Sequence, residues 1–287
     1  MINRLLLGVC AVLSGCVAHR QPPSGHVTYT IGNPYQTGGQ WHYPREFNQY
    51  DATGLGIIIR HDSNPYTADG EVYDAEGLMA ASPVLPLPSI VTVTNLVNGY
   101  SVQVRVNERG PNVPGRVIAV TPRVARLLRF PTGGVVEVQV KLDSAASAAL
   151  QASLGAGPKL SAAPVVGITE QSLAAPGGGT TSRAQQIGPA SNASMRSGAP
   201  RLTGQVTTIL PAPGPLWVRV SGFGNEGDAA RMMARLYGFP ARLTPVFGGD
   251  RTLWAVDAGP YHSVAAADQA LQEVLRRGVA GPEIVVR

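Results

Sequence analysis

The sequence predicts two folded units of different class: a mainly β domain, then a small α+β module of order βαββαβ. Three observations carry this reading. On both sides of Asn98-Gly99, valines alternate strictly with polar residues. After Leu216, strand-like runs alternate with two segments of helical period. Between the two lies a stretch from Gln151 to Pro200 dominated by Ala, Gly, Ser, Thr and Pro, whose only charges are Lys159, Glu170, Arg183 and Arg196. That composition reads as a flexible linker.

These shifts divide the chain into a leader over 1–15, an N-terminal arm over 16–49, the β domain over 50–142, the linker over 143–214 and the α+β module over 215–287. The two modules read as independent folded units.

The leader has one charge, Arg4, then an apolar run from Leu5 to Leu13. That run is too short to span a bilayer and fits the h-region of a secretory signal. It ends in Leu13-Ser14-Gly15-Cys16, which looks like a bacterial lipobox with Cys16 as the site of acylation. More than one acyl chain gives stable anchoring. Val17 stands where Asp is the usual inner-membrane retention residue, so the outer membrane, facing the periplasm, is the expected address. Cys10 leaves with the leader and Cys16 becomes the anchor, so the mature chain has no thiol chemistry.

The arm is polar and rich in Gly and Pro; its Tyr35, Trp41 and Tyr43 are expected mainly to pack against the next domain. In the β domain, Val91 and Val93 precede Asn98-Gly99, and Val102, Val104 and Val106 follow it. A hairpin with a type I′ turn is expected. Thr121-Pro122 starts a short helix, with Thr as cap and Pro at the first helical position. Val135 to Leu142 alternates again and closes the domain.

In the last module, Leu216 to Phe223 is a strand, and Ala229, Met232, Met233 and Leu236 share a helix face. Strands near Ala241–Phe247 and Thr252–Ala258 flank a turn at Gly248-Gly249-Asp250. Ser263 caps a second helix, and Glu283 to Val286 is the last strand. This is a duplicated βαβ, ferredoxin-like arrangement.

The net charge of +5 favours acidic polymers, membranes or cell walls as partners. The basic residues are scattered, so nucleic acid is not expected. The five His residues have no ligand spacing on a common element, so neither a metal nor a cofactor is expected.

Thr67-Ala68-Asp69-Gly70-Glu71-Val72-Tyr73-Asp74 resembles the T-A-N-G-E-x-Y-D segment of the rare lipoprotein A family. Val91 to Leu96, Asn98-Gly99 and Arg105 to Pro111 resemble its V-T-N-L-x-N-G and V-R-I-N-D-R-G-P segments. Gly115-Arg116, then Thr121 to Leu128, resemble its last one. Val218 to Phe223, Gly238 to Ala241 and Gly259-Pro260-Tyr261 are similar to segments of a SPOR domain. The resemblance implies a six-stranded double-psi β-barrel followed by a SPOR module. It also implies a lytic transglycosylase that cleaves glycan strands of peptidoglycan, prefers naked strands without stem peptides, and leaves 1,6-anhydroMurNAc ends. Such cleavage needs a group that protonates the departing glycosidic oxygen, and one carboxyl can serve as acid and then as base. The resemblance assigns catalysis to Glu71, Asp74 and Glu108, and substrate binding to Ser82, Arg219, Phe223, Trp254 and Tyr261. Strand parity puts Glu108 on the apolar face with Val102, Val104 and Val106. The chain departs from the family pattern in carrying Glu108 for Asp, Ser82 for His and Ala119 for Asp; the upstream S-W-Y-G is absent, and His61 does not fall on the family spacing. The alternative is a non-catalytic outer-membrane lipoprotein that binds peptidoglycan. A septal location, and cell-division proteins or amidases as partners, stay open.

Overall fold

A computed structural model of the chain describes residues 25–60, 64–155, 201–247 and 252–287. The expectations on the leader, on Cys16, on His61 and on the Gly248-Gly249-Asp250 turn lie outside those residues. In chain order the strands and helices are β1 (Tyr35–Thr37), β2 (Gln40–His42), β3 (Asp51–Ile58), β4 (Met79–Ala81), β5 (Ser89–Asn95), β6 (Tyr100–Glu108), β7 (Arg116–Val120), α1 (Pro122–Leu127), β8 (Val135–Leu142) and α2 (Ser144–Ser153). They continue with β9 (Thr207–Thr208), β10 (Leu216–Phe223), α3 (Glu226–Arg235), β11 (Ala241–Phe247), β12 (Thr252–Tyr261), α4 (Val264–Arg276) and β13 (Glu283–Val286). No helix among the described residues is long and apolar enough to cross a membrane.

Strands β3 to β8 form one sheet of order β4-β7-β3-β8-β5-β6, and pairing of β4 with β6 closes it into a six-stranded barrel. Two pairs, β3–β7 and β4–β6, are parallel; the others are antiparallel. The predicted alternation is what fills it. Val91 and Val93 of β5, Val102, Val104 and Val106 of β6, and Val136, Val138 and Val140 of β8 are buried in one cluster. Each such side chain contributes roughly 1.5–3 kcal/mol by leaving water.

Two local details differ from expectation. The β5–β6 hairpin forms, but Gly99 is the one loop residue with positive φ, at 76°. A type I′ turn needs two such residues. Instead residues 96–99 make a longer loop, in which Gly99 N–H donates to the Asn95 carbonyl. The Asn95 and Asn98 side chains accept from the backbone of Val97 and Tyr100. At α1, Pro122 takes the first helical position, but the Thr121 hydroxyl does not cap. It donates to the Gly77 carbonyl at 2.7 Å and ties the helix to the loop before β4.

The segment expected as linker is structured at both described ends. Residues 144–153 form α2, capped by Asp143, whose carboxylate accepts from Ala146 N–H at 2.9 Å. Ser147 Oγ accepts from Ile90 N–H, and Leu150 is buried beneath it. Ala is the strongest helix former, so an Ala/Ser-rich run with a good cap takes helical form once it has a face to dock on. At the other end, residues 201–214 lie along the barrel as a strap. Leu202 packs against the barrel core, and β9 pairs with the start of β6. Ile209 and Ala212 N–H groups donate to the Gly99 and Leu96 carbonyls, each at 2.9 Å.

The last module is a four-stranded antiparallel sheet of order β11-β12-β10-β13 with α3 and α4 on one face, in the predicted order βαββαβ. Ser263 caps α4 as read from the sequence, accepting from Ala266 N–H at 3.2 Å. This module packs on the barrel. Leu55 of β3 and Leu96 are buried in its core cluster. Arg116 makes a two-pronged ion pair with Asp268 of α4, at 2.7 and 2.8 Å. Thr53 donates to the Val286 carbonyl, and Gln40 of the arm donates to the Pro282 carbonyl.

Gly115 makes that close approach feasible. Its φ is +73°, and a Cβ there would sit 2.6 Å from Leu271 Cδ2 and 2.9 Å from Ile284 Cδ1. Gly115→Ala should therefore loosen the contact at a cost of about 1–3 kcal/mol. Calorimetry should show unfolding at a lower temperature than in the wild type, or in two separated steps. An unchanged transition would mean that the two modules do not stabilise each other.

Candidate functional site

The site forms at one end of β6 and is shaped by an irregularity. Met79 pairs with Arg105 and Ala80 with Val106, but Ala81 pairs with Glu108. Asn107 is thus the extra residue of a β-bulge. Neighbours along β4 face opposite ways, so Glu108, abreast of Ala81, turns away from the face that Val106 and Ala80 share. The parity expected for Glu108 is corrected: the bulge takes it off the apolar face. Bulges re-aim side chains in this manner next to active sites. Glu108 now heads a row with Ala81 of β4 and Ala119 of β7, which pair in turn. Its Oε1 accepts from Arg109 N–H at 2.6 Å.

Glu71 sits on the loop beside the same strand. Its two oxygens accept from Arg105 at 2.9 Å and from Asn107 at 2.8 Å. Before it, Asp69 is buried. Its Oδ1 accepts from the Thr67 hydroxyl at 2.8 Å and from Glu71 N–H at 3.0 Å, while Oδ2 is buried without a partner among the described residues. Burial pushes the Asp69 carboxyl up, against the pull of these two hydrogen bonds. The loop that carries Glu71 is therefore anchored from within. Asp74 is exposed; its Oδ1 accepts from Glu76 N–H and shapes the next turn.

Glu71, Arg105, Leu78 and Met79 line a cavity of about 520 Å³, together with Arg123 of α1 and with Arg201 and Leu202 of the strap. That volume suits a small ligand or a short stretch of polymer. Sequence reading missed Arg123 and Arg201, because neither lies in the motif-bearing strands. Arg105 and Asn107 were legible as the polar parity of β6.

Ser82 is buried, and its Oγ accepts from the N–H groups of Val84 and Leu85 at 3.4 and 3.3 Å. The hydroxyl faces its own turn. Beside it the half-buried Arg109 guanidinium donates to the carbonyls of Leu85 and Ile31, both at 2.5 Å. The arm closes this side. The Tyr35 ring lies 5.2 Å from His42, and its hydroxyl donates to the Pro83 carbonyl at 3.2 Å. Burial pushes the Tyr35 phenol up, with Arg109 pulling it back. Trp41 and Tyr43 are exposed.

The residues expected to bind substrate in the second module do not converge. Trp254 and Phe223 pair near one end of the sheet and pack against its helix-side core. Tyr261 lies seven residues further along β12, roughly 23 Å away at strand rise, at the junction with the barrel. Arg219 is on the opposite face, held by Asp257 at 2.7 and 3.0 Å. That face also carries Trp217, with the Arg242 guanidinium 3.8 Å above its ring.

Fold and site together define a double-psi barrel of the lytic transglycosylase class joined to a SPOR domain. A family described as "Lytic transglycolase" matches residues 50–140, and the SPOR domain family matches residues 212–286. The chain is 31% identical over 276 residues to the endolytic peptidoglycan transglycosylase RlpA of Pseudomonas aeruginosa PAO1, covering 92% of this chain and 79% of that one. It is 27% identical over 305 residues to the protein of the same name from Escherichia coli K12, covering 85% and 81%. The chain belongs to the RlpA family.

Proposed function

We propose that this protein is a lytic transglycosylase of peptidoglycan that prefers naked glycan strands, anchored in the outer membrane through acylated Cys16. One observation carries the reading: the bulge at Asn107 brings Glu108 to the end of the strand whose preceding polar residues hold Glu71. Two carboxylates thus flank one strand end, each with a separate task.

Glu108 protonates the glycosidic oxygen as the C1–O4 bond of MurNAc breaks. The C6 hydroxyl of the same sugar closes on C1, and Glu108 takes its proton. Glu71, fixed by Arg105 and Asn107, orients the sugar and offsets the positive charge that develops at C1. Ser82, with its hydroxyl engaged by backbone, leaves proton transfer to Glu108. The SPOR domain supplies a second hold on the strand, and its packing on the barrel keeps that hold at a fixed distance from the cleft.

The test is mass spectrometry of purified glycan strands after incubation with the protein. New 1,6-anhydro ends support the enzyme. Retained binding without new ends supports a tether. For the anchor, Cys16→Ala is expected to move the protein from the membrane to the soluble periplasmic fraction. A variant that stays with membranes after a salt wash would contradict the lipid attachment.

A further inference from the structure

The strap over residues 201–214 is more than a connection. It places Arg201 and Leu202 on the wall of the cavity that holds Glu71. Three guanidinium groups, of Arg105, Arg123 and Arg201, then face a single lining carboxylate. Arg105 spends one nitrogen on Glu71, and Arg123 spends one on the Glu76 carbonyl at 2.8 Å. Arg201 makes no hydrogen bond or ion pair with the described residues. The cavity therefore has a positive excess and free donors. Guanidinium groups of this kind suit a carboxylate, which they bind through two parallel N–H bonds.

We propose that Arg201, with Arg123 and Arg105, forms a carboxylate subsite that takes the free lactyl group of a muramoyl residue whose stem peptide has been removed. The inference rests on the lytic transglycosylase reading for its substrate. The chemistry is direct. In a peptide-bearing strand the lactyl carbonyl is an amide and is neutral. Removing the peptide frees a carboxylate on every muramic acid. A cleft with uncompensated arginines distinguishes those two states, so the catalytic domain itself selects naked strands. The strap delivers the deciding residue. It is pinned to the barrel by β9 on β6 and by the backbone bonds to Gly99 and Leu96, and it runs straight on into the SPOR domain.

The test is equilibrium binding of the full chain to three MurNAc–GlcNAc disaccharides at low and high salt. One carries the free lactyl acid, one its methylamide, and one a lactyl-linked peptide. The wild type should bind the free acid about tenfold more tightly than the methylamide, the range of a charge-assisted hydrogen bond, and less so at high salt. Arg201→Ala should bring that ratio close to one, and Arg201→Lys should keep part of it, because charge persists without the fork. An unchanged ratio in Arg201→Ala overturns the proposal. So does tighter binding of the peptide-bearing ligand, which would mean that the arginines read peptide carboxylates.

The two readings separate cleanly. If strands gain no anhydro ends but the Arg201→Ala effect appears, the subsite stands and the lyase falls. If anhydro ends form and Arg201→Ala discriminates like wild type, the lyase stands and the subsite falls.

Discussion

Glu108→Gln is expected to lower anhydro-product formation by about 10²–10⁴-fold, the contribution of a positioned general acid and base. Gln keeps the shape of the side chain, and its carbonyl oxygen can still accept from Arg109 N–H, as Glu108 Oε1 does. It cannot deliver a proton. Folding and glycan binding should therefore survive, which circular dichroism and a glycan pull-down would verify. Glu108→Asp should retain activity: it shortens the side chain by about 1.5 Å, but Asp is what the family pattern carries at this position, and the bulge still directs the carboxyl to the same face. Turnover unchanged in Glu108→Gln would move the acid to Glu71.

The largest effect on stability is expected at Asp257. It is fully buried, bonded to Arg219 through both oxygens and to the Thr244 hydroxyl at 3.0 Å, with Arg287 at 3.5 Å. Burial alone would push its pKa up; the hydrogen bonds and charge of Arg219, with Arg287 and Thr244, outweigh that and hold it below the usual range. Asp257→Ala leaves the Arg219 guanidinium unpaired in a mostly buried position. Breaking such a pair costs about 3–5 kcal/mol, a large part of the roughly 5–10 kcal/mol that a small domain holds. The SPOR domain should unfold at markedly lower urea.

The same group sets an acid limit. Its folded pKa is depressed, so its contribution is complete above the unfolded value of about 3.9. It is lost as the pH falls from there through the folded value. Urea midpoints measured downward from pH 5 should fall more steeply for the wild type than for Asp257→Ala. Parallel curves would mean that Asp257 is not the acid-sensitive group.

Much of the architecture was legible because alternation and helical period report burial directly. The valines of β5, β6 and β8 and the capped, periodic α4 are examples. What escaped was structure held by backbone. The strap over 201–214 binds the barrel largely through N–H and carbonyl groups, which leave no side-chain pattern. Helix α2 was hidden by a composition that suits a linker and a helix alike until a docking surface decides.

At the site, Glu71 was legible in its motif and Arg105 and Asn107 as polar positions of β6, but their contacts with Glu71 and the face of Glu108 were not. Period-two reasoning fails at a bulge, and no local residue announces the one at Asn107. The separation of Trp254, Phe223, Tyr261 and Arg219 has a related cause. Strand residues close in sequence motif are far apart along a ten-residue strand or on opposite faces of the sheet.

The central claim is that Glu108 drives cleavage in which the sugar's own C6 hydroxyl, and not water, attacks C1. Incubating naked glycan strands with the protein in ¹⁸O-labelled water, then weighing the new chain ends, tests it most directly. The account predicts new MurNAc ends that lack the mass of one water and carry no label, and that vanish in Glu108→Gln. Labelled reducing ends would make the protein a hydrolase, and unlabelled anhydro ends that persist in Glu108→Gln would remove Glu108 from the chemistry.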